Sequence, residues 1–117
     1  MRRKQLFLPL NLEKIIEPNK SVRTLDEICE QLDYSKLNRA YTRKRGLESA
    51  TPEAMFKILV YGYMTGNYSS RKIEEECKNN VNFMWLLDGA KAPDHNTIAR
   101  FRTGRLQNII EDLFAQL

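Results

Sequence analysis

Hydrophobic positions recur at helical spacing along most of the chain. After Ser21, the residues Val22, Leu25, Ile28 and Leu32 form one stripe, with Asp26, Glu27 and Glu30 off it. That pattern predicts an amphipathic helix capped by the serine. Further on, Met55, Phe56, Ile58, Leu59, Val60, Tyr63 and Met64 cover most of a helix's circumference, the mark of a central, buried helix. Thr51-Pro52 supplies its start, a capping hydroxyl followed by proline at the first helical position, and Gly66-Asn67 its stop. Gly62 lies inside this helix and costs it roughly 1 kcal/mol of propensity. Close packing of a neighbouring helix would explain that glycine.

The second half continues in the same way. Ser69 or Ser70 starts a helix over residues 71–79 with Ile73 and Cys77 inward and Glu74, Glu75 and Glu76 as a solvated face. Asn79-Asn80 breaks it. Phe83-Met84-Trp85-Leu86-Leu87 is a dense apolar knot closed by Asp88-Gly89, and its Phe83 and Trp85 are expected in the core. Asp94, after Pro93, caps a helix that turns Ile98 and Phe101 inward, and Gly104 marks a kink or a break. A last helix carries Leu106, Ile109, Ile110, Leu113, Phe114 and Leu117. Two shorter helical turns are expected, one after Asn11 through Leu12, Ile15 and Ile16, stopped by Pro18, and one near residues 36–39, followed by a loop. No segment alternates like a strand, so the expected fold is all-α, a compact helical domain of roughly five to seven helices. The order helix, turn, apolar segment, turn, helix over residues 69–105 is helix-turn-helix-like.

The 117 residues fit one domain over 1–117, large enough to bury a core without disulfides or metals. Cys29 and Cys77 each sit beside apolar residues in a helical pattern, which reads as buried, reduced thiols. With a single histidine, His95, they do not make a zinc-ligand spacing, and no metal or other cofactor is expected. The apolar runs fall short of the roughly 20 residues that span a bilayer, and the run after Met1-Arg2-Arg3-Lys4 is too short for a signal-peptide core. No membrane or small-molecule partner is expected, and the location implied is cytoplasmic.

Charge changes the picture because it is unevenly placed. The net charge is +4, yet Lys36, Arg39, Arg43, Lys44 and Arg45 supply five positive charges with no acid among them, leaving the rest at −1. A local basic patch on a near-neutral body suits phosphate binding, and it equally suits a solvated loop. Tyr34 and Tyr41 interleave the run, as backbone-binding residues or as anchors to the core.

Three blocks of sequence narrow the choice. The first is Leu8-Pro9-Leu10-Asn11-Leu12-Glu13, followed by Val22-Arg23. The second is Thr51-Pro52 leading into Lys57-Ile58-Leu59-Val60-Tyr61-Gly62-Tyr63 and then Gly66-Asn67-Tyr68-Ser69-Ser70-Arg71-Lys72-Ile73-Glu74. The third is Phe83-Met84-Trp85-Leu86, then Pro93-Asp94-His95-Asn96-Thr97-Ile98-Ala99-Arg100-Phe101-Arg102. Taken in order, they resemble the N-terminal domain of insertion-sequence transposases with a DDE-type catalytic core. The resemblance implies a DNA-handling domain that precedes a ribonuclease-H-like domain. The metal-binding carboxylates of such enzymes lie in that later domain. None is recognised here, so no catalytic residue is assigned and the chain alone is expected not to be an enzyme.

Duplex recognition needs donors on phosphates and a helix whose side chains reach base edges. If residues 94–107 are helical, Asn96, Arg100, Thr103 and Gln107 fall on one outward stripe, with the chemistry of a recognition helix or of any solvated face. Ser70 and Arg71, at a helix start, join Lys36, Arg39, Arg43, Lys44 and Arg45 as candidate phosphate contacts. Arg102 is expected to pair with Glu74 or Glu75, and His95 to be structural. The preferred reading is a sequence-specific module for double-stranded DNA, recognising an element's terminal inverted repeats. The rival is an oligomerisation or interaction domain, with the stripe Leu106, Ile109, Ile110, Leu113 and Leu117 docking on a second copy, as a homo-oligomer, or on the catalytic domain.

Overall fold

A computed structural model describes residues 21–40, 50–103 and 106–117. Seven helices and no strand occur among them: α1 (Ser21–Glu30), α2 (Ser35–Ala40), α3 (Pro52–Met64), α4 (Ser70–Asn79), α5 (Val81–Leu87), α6 (His95–Arg102) and α7 (Gln107–Gln116). The expected turn after Asn11 lies outside the described residues.

α3 is the central element, packed by α1, α4 and α5. Its start is set by two adjacent residues. The Thr51 side chain accepts from the Ala54 amide at 3.1 Å, and Pro52 occupies the first helical position, where no amide is needed. Phe56, Ile58 and Leu59 are fully buried. Gly62 permits a tight return at the end of the helix. A Cβ there would stand 3.0 Å from the Asn67 carbonyl oxygen and 3.2 Å from the Ile73 side chain. Its absence lets the chain fold back, with the Asn67 amide donating to the Gly62 carbonyl at 2.7 Å, and lets α4 lie close. Gly66, at φ +82°, takes the left-handed turn between the two helices.

Two expectations of side-chain direction are corrected. In α1 the inward stripe is Val22, Leu25, Asp26 and Cys29, while Ile28 is exposed. Asp26 turns in because Lys57, buried in the middle of α3, meets it: Lys57 Nζ stands 2.9 Å from Asp26 Oδ1 and donates to Glu30 Oε2 at 2.6 Å. In α4 the acidic face is only partly solvated. Glu75 is exposed and pairs with Lys72 at 3.0 Å, whereas Glu74 is half-buried and engaged by α6.

The last helix resolves a third point. Leu106, Ile110 and Leu113 are buried in the domain's own core, and Phe114 packs on Phe56 with ring centroids 5.0 Å apart. The stripe considered for docking on another chain is thus largely used within the domain, with Leu117 left exposed. Phe83 and Trp85 are core residues, and Tyr34 is buried with its hydroxyl donating to the Cys29 carbonyl at 2.7 Å. Burial pushes the thiols up, Cys29 to about 11 and Cys77 to about 12, as inert structural cysteines require. No helix among the described residues is long and apolar enough to cross a membrane.

Candidate nucleic-acid interface

α6 is held to α4 at both ends. At its start the Asp94 side chain accepts from the Thr97 amide at 2.8 Å, a helix cap that holds the Asp94 carboxyl below its ordinary range. The next residue is tied across to α4: the His95 amide donates to Glu74 Oε1 at 3.0 Å, and His95 Nδ1 lies 2.9 Å from the same oxygen. A carboxylate only accepts, so this geometry places the proton on Nδ1. The other Glu74 oxygen takes Lys78 Nζ at 2.8 Å. Together Lys78 and His95 drive the Glu74 carboxyl down to about 2. His95 is thus structural, as expected.

At its other end α6 is tied by Arg102. One guanidinium nitrogen donates to the Tyr63 hydroxyl at 3.0 Å, another to the Ser70 hydroxyl at 2.9 Å, and the group lies over the Tyr63 ring at 5.9 Å. The expected pairing of Arg102 with Glu74 or Glu75 does not occur. Those acids are taken by Lys78, His95 and Lys72, and two hydroxyls face Arg102 instead. Since Ser70 meets the last turn of α6 and Glu74 meets the first, the two helices run antiparallel.

Between these ties Ile98 and Phe101 are buried, which fixes the rotation of the helix. Asn96 and Arg100, four residues apart, share the exposed face, and neither side chain has a partner among the described residues. The longer stripe expected over residues 94–107 is broken. α6 ends at Arg102, and Thr103 is extended, its hydroxyl donating back to the Ala99 carbonyl at 2.8 Å. Gln107 begins α7 and donates to Glu111 at 3.2 Å. Asn96 and Arg100 therefore stand together on α6, while Thr103 lies past its end and Gln107 on the next helix. The connection before α6, residues 88–94, is longer than the roughly 3–4-residue turn of a helix-turn-helix.

The candidate phosphate contacts fall into two groups. Ser70 and Arg71 stand at the start of α4, beside the end of α6. Arg71 is exposed, while the Ser70 hydroxyl is engaged by Arg102. Lys36 and Arg39 are exposed on α2, which rests on α7. Arg43, Lys44, Arg45 and Tyr41 lie outside the described residues. Sequence reasoning placed Arg102 against α4 but gave it the acids as partners, and it missed the hydroxyls of Tyr63 and Ser70 that make Arg102 the tie between α3, α4 and α6. Its only local signal was an arginine one position past the inward-facing Phe101. No group of three or more His, Cys, Asp or Glu side chains stands together among the described residues to hold a metal ion.

An all-α domain in which the exposed Asn96 and Arg100 of α6 have no partner among the described residues is the class of protein these observations define. Over residues 10–104 the sequence matches the model of the family described as Transposase domain (DUF772), and the chain belongs to that family. No curated protein and no solved structure matches it.

Proposed function

We propose that this transposase domain is a binding module for double-stranded DNA that recognises the terminal inverted repeats of its element. The observation that carries the proposal is the exposed face of α6. Both ends of the helix are tied down, and Asn96 and Arg100 are left pointing outward one turn apart. Arginine pairs bidentately with guanine and asparagine with adenine in the major groove, so the two supply base reading at the spacing of a single helix face. α6 takes the part of a recognition helix in a helix-turn-helix-like arrangement with an extended connection. Arg71 at the start of α4, and Lys36 and Arg39 on α2, hold phosphates. Thr103 and Gln107 lie past the end of α6 and extend the contact beyond it. Strand cleavage is left to metal-binding carboxylates outside this domain.

Titration of fluorescently labelled inverted-repeat and scrambled duplexes at two salt concentrations tests this. Arg100→Ala is expected to cost about 1–3 kcal/mol on the repeat and little on the scrambled duplex. Arg71→Ala is expected to weaken both alike and to flatten the salt dependence by about 0.9 per log unit for the phosphate lost. Glu75→Ala, on the acidic side of α4, is expected not to weaken either. Folded wild-type protein that binds neither duplex at low salt contradicts the proposal.

A further inference from the structure

Where α3 ends and α4 begins, two large side chains stand in solvent: Met64 is 57% exposed and Tyr68 is 65% exposed. Tyr68 is the tip of an aromatic column that reaches into the core. Its ring lies 5.9 Å from that of Tyr63, tilted by 36°. Tyr63 stacks on Phe114 at 5.6 Å and 17°, and Phe114 meets Phe56 at 5.0 Å. The Tyr68 hydroxyl has no partner among the described residues, so its placement is not accounted for by a hydrogen bond within them.

Two arginines lie close to Tyr68 in the fold or the chain, Arg102 over the ring of Tyr63 and Arg71 three residues further on. Arg102, on the ring of Tyr63, is bonded only to hydroxyls, with no carboxylate partner among the described residues. Arg71 is exposed and likewise unpartnered among them. The acids on the neighbouring helices are engaged elsewhere: Glu74 by Lys78 and His95, Glu75 by Lys72, and Glu111, one turn from Phe114, accepts from Gln107. A purely apolar partner would bury the arginine charges without compensation. A base stacked on an aromatic ring with its phosphate on arginine satisfies both features. Duplex DNA hides the faces of its bases in its own stack, so the ligand that fits carries an exposed base.

We infer that Tyr68, with Arg71 and Arg102 beside it, is a stacking site for an unpaired nucleotide of a DNA strand. This rests on the DNA-binding proposal and adds to it a preference for unpaired bases next to duplex. The test compares binding of the full chain to a blunt duplex, to the same duplex with a short single-stranded overhang, and to oligothymidylate of about a dozen nucleotides. The overhang is expected to strengthen binding. Tyr68→Ala is expected to abolish that gain and to weaken oligothymidylate binding roughly tenfold, while leaving the blunt duplex unchanged. Tyr68→Phe, which keeps the ring, is expected to behave as wild type. Blunt-duplex binding with no gain from the overhang overturns the inference and leaves the duplex proposal standing. Loss of affinity for all three DNAs in Tyr68→Ala also overturns it, as does a Tyr68→Ala variant that dissociates a dimer in sedimentation without changing DNA affinity. A folded wild-type chain that binds none of the three overturns both.

Discussion

Lys57 is the one charged side chain buried inside α3, 3% exposed where its helix neighbours are apolar. An ammonium group survives there because Asp26 and Glu30, four residues apart on α1, converge on it. Removing it takes the Lys57 ammonium away from the buried Asp26 carboxylate, the costly way to break such a pair. Lys57→Met is therefore expected to destabilise the fold by about 3–5 kcal/mol, read from denaturant midpoints, whereas a loss under about 1 kcal/mol would show the cluster to be solvated. This cluster was readable in principle. A lysine within an apolar run has to be buried, and a buried lysine needs acids at helical spacing elsewhere. Hydrophobic periodicity favours Ile28 over Asp26 as the inward residue because it scores side chains by polarity alone. It cannot register a charged partner arriving from another helix.

Helix starts were legible for the opposite reason. Thr51, Ser69 and Asp94 each cap a helix by accepting from the amide three residues on, an interaction contained within four residues of sequence. The ties between helices were not legible. Arg102 reaches Tyr63 and Ser70 across 39 and 32 residues, and nothing local distinguishes those hydroxyls from the carboxylates of Glu74 and Glu75. The end of α6 was half legible: Gly104 signalled a break, but the extended Thr103 shortened the expected stripe to Asn96 and Arg100. The same element has a pH dependence. The Glu74 carboxyl is lowered by Lys78 and by His95, so its contribution is present above the ordinary carboxylate range and lost as pH falls from about 4.5 toward about 2. The Asp94 cap acts in the same direction. The thermal midpoint is expected to fall between pH 6 and pH 3, and Glu74→Gln to lower it at pH 6 and flatten the fall. Parallel curves for the two proteins would contradict a role for Glu74 in docking α6.

At the scale of the whole molecule, an all-α core built on α3 carries α6 with one face free, in a chain that belongs to a transposase domain family. The candidate phosphate contacts among the described residues are split between Arg71 at the start of α4 and Lys36 and Arg39 on α2, which rests on α7, so DNA held by both would cross more than one element. Backbone amide NMR shifts recorded while inverted-repeat duplex is added locate the contact without any mutation. Shifts are expected to concentrate in α6 around Asn96 and Arg100 and at the start of α4 around Arg71, with a smaller set at Lys36 and Arg39. α5 and the inward side of α3 should stay still. Shifts confined to other surfaces, or none at DNA concentrations that saturate weak binding, would contradict α6 as the helix that meets DNA.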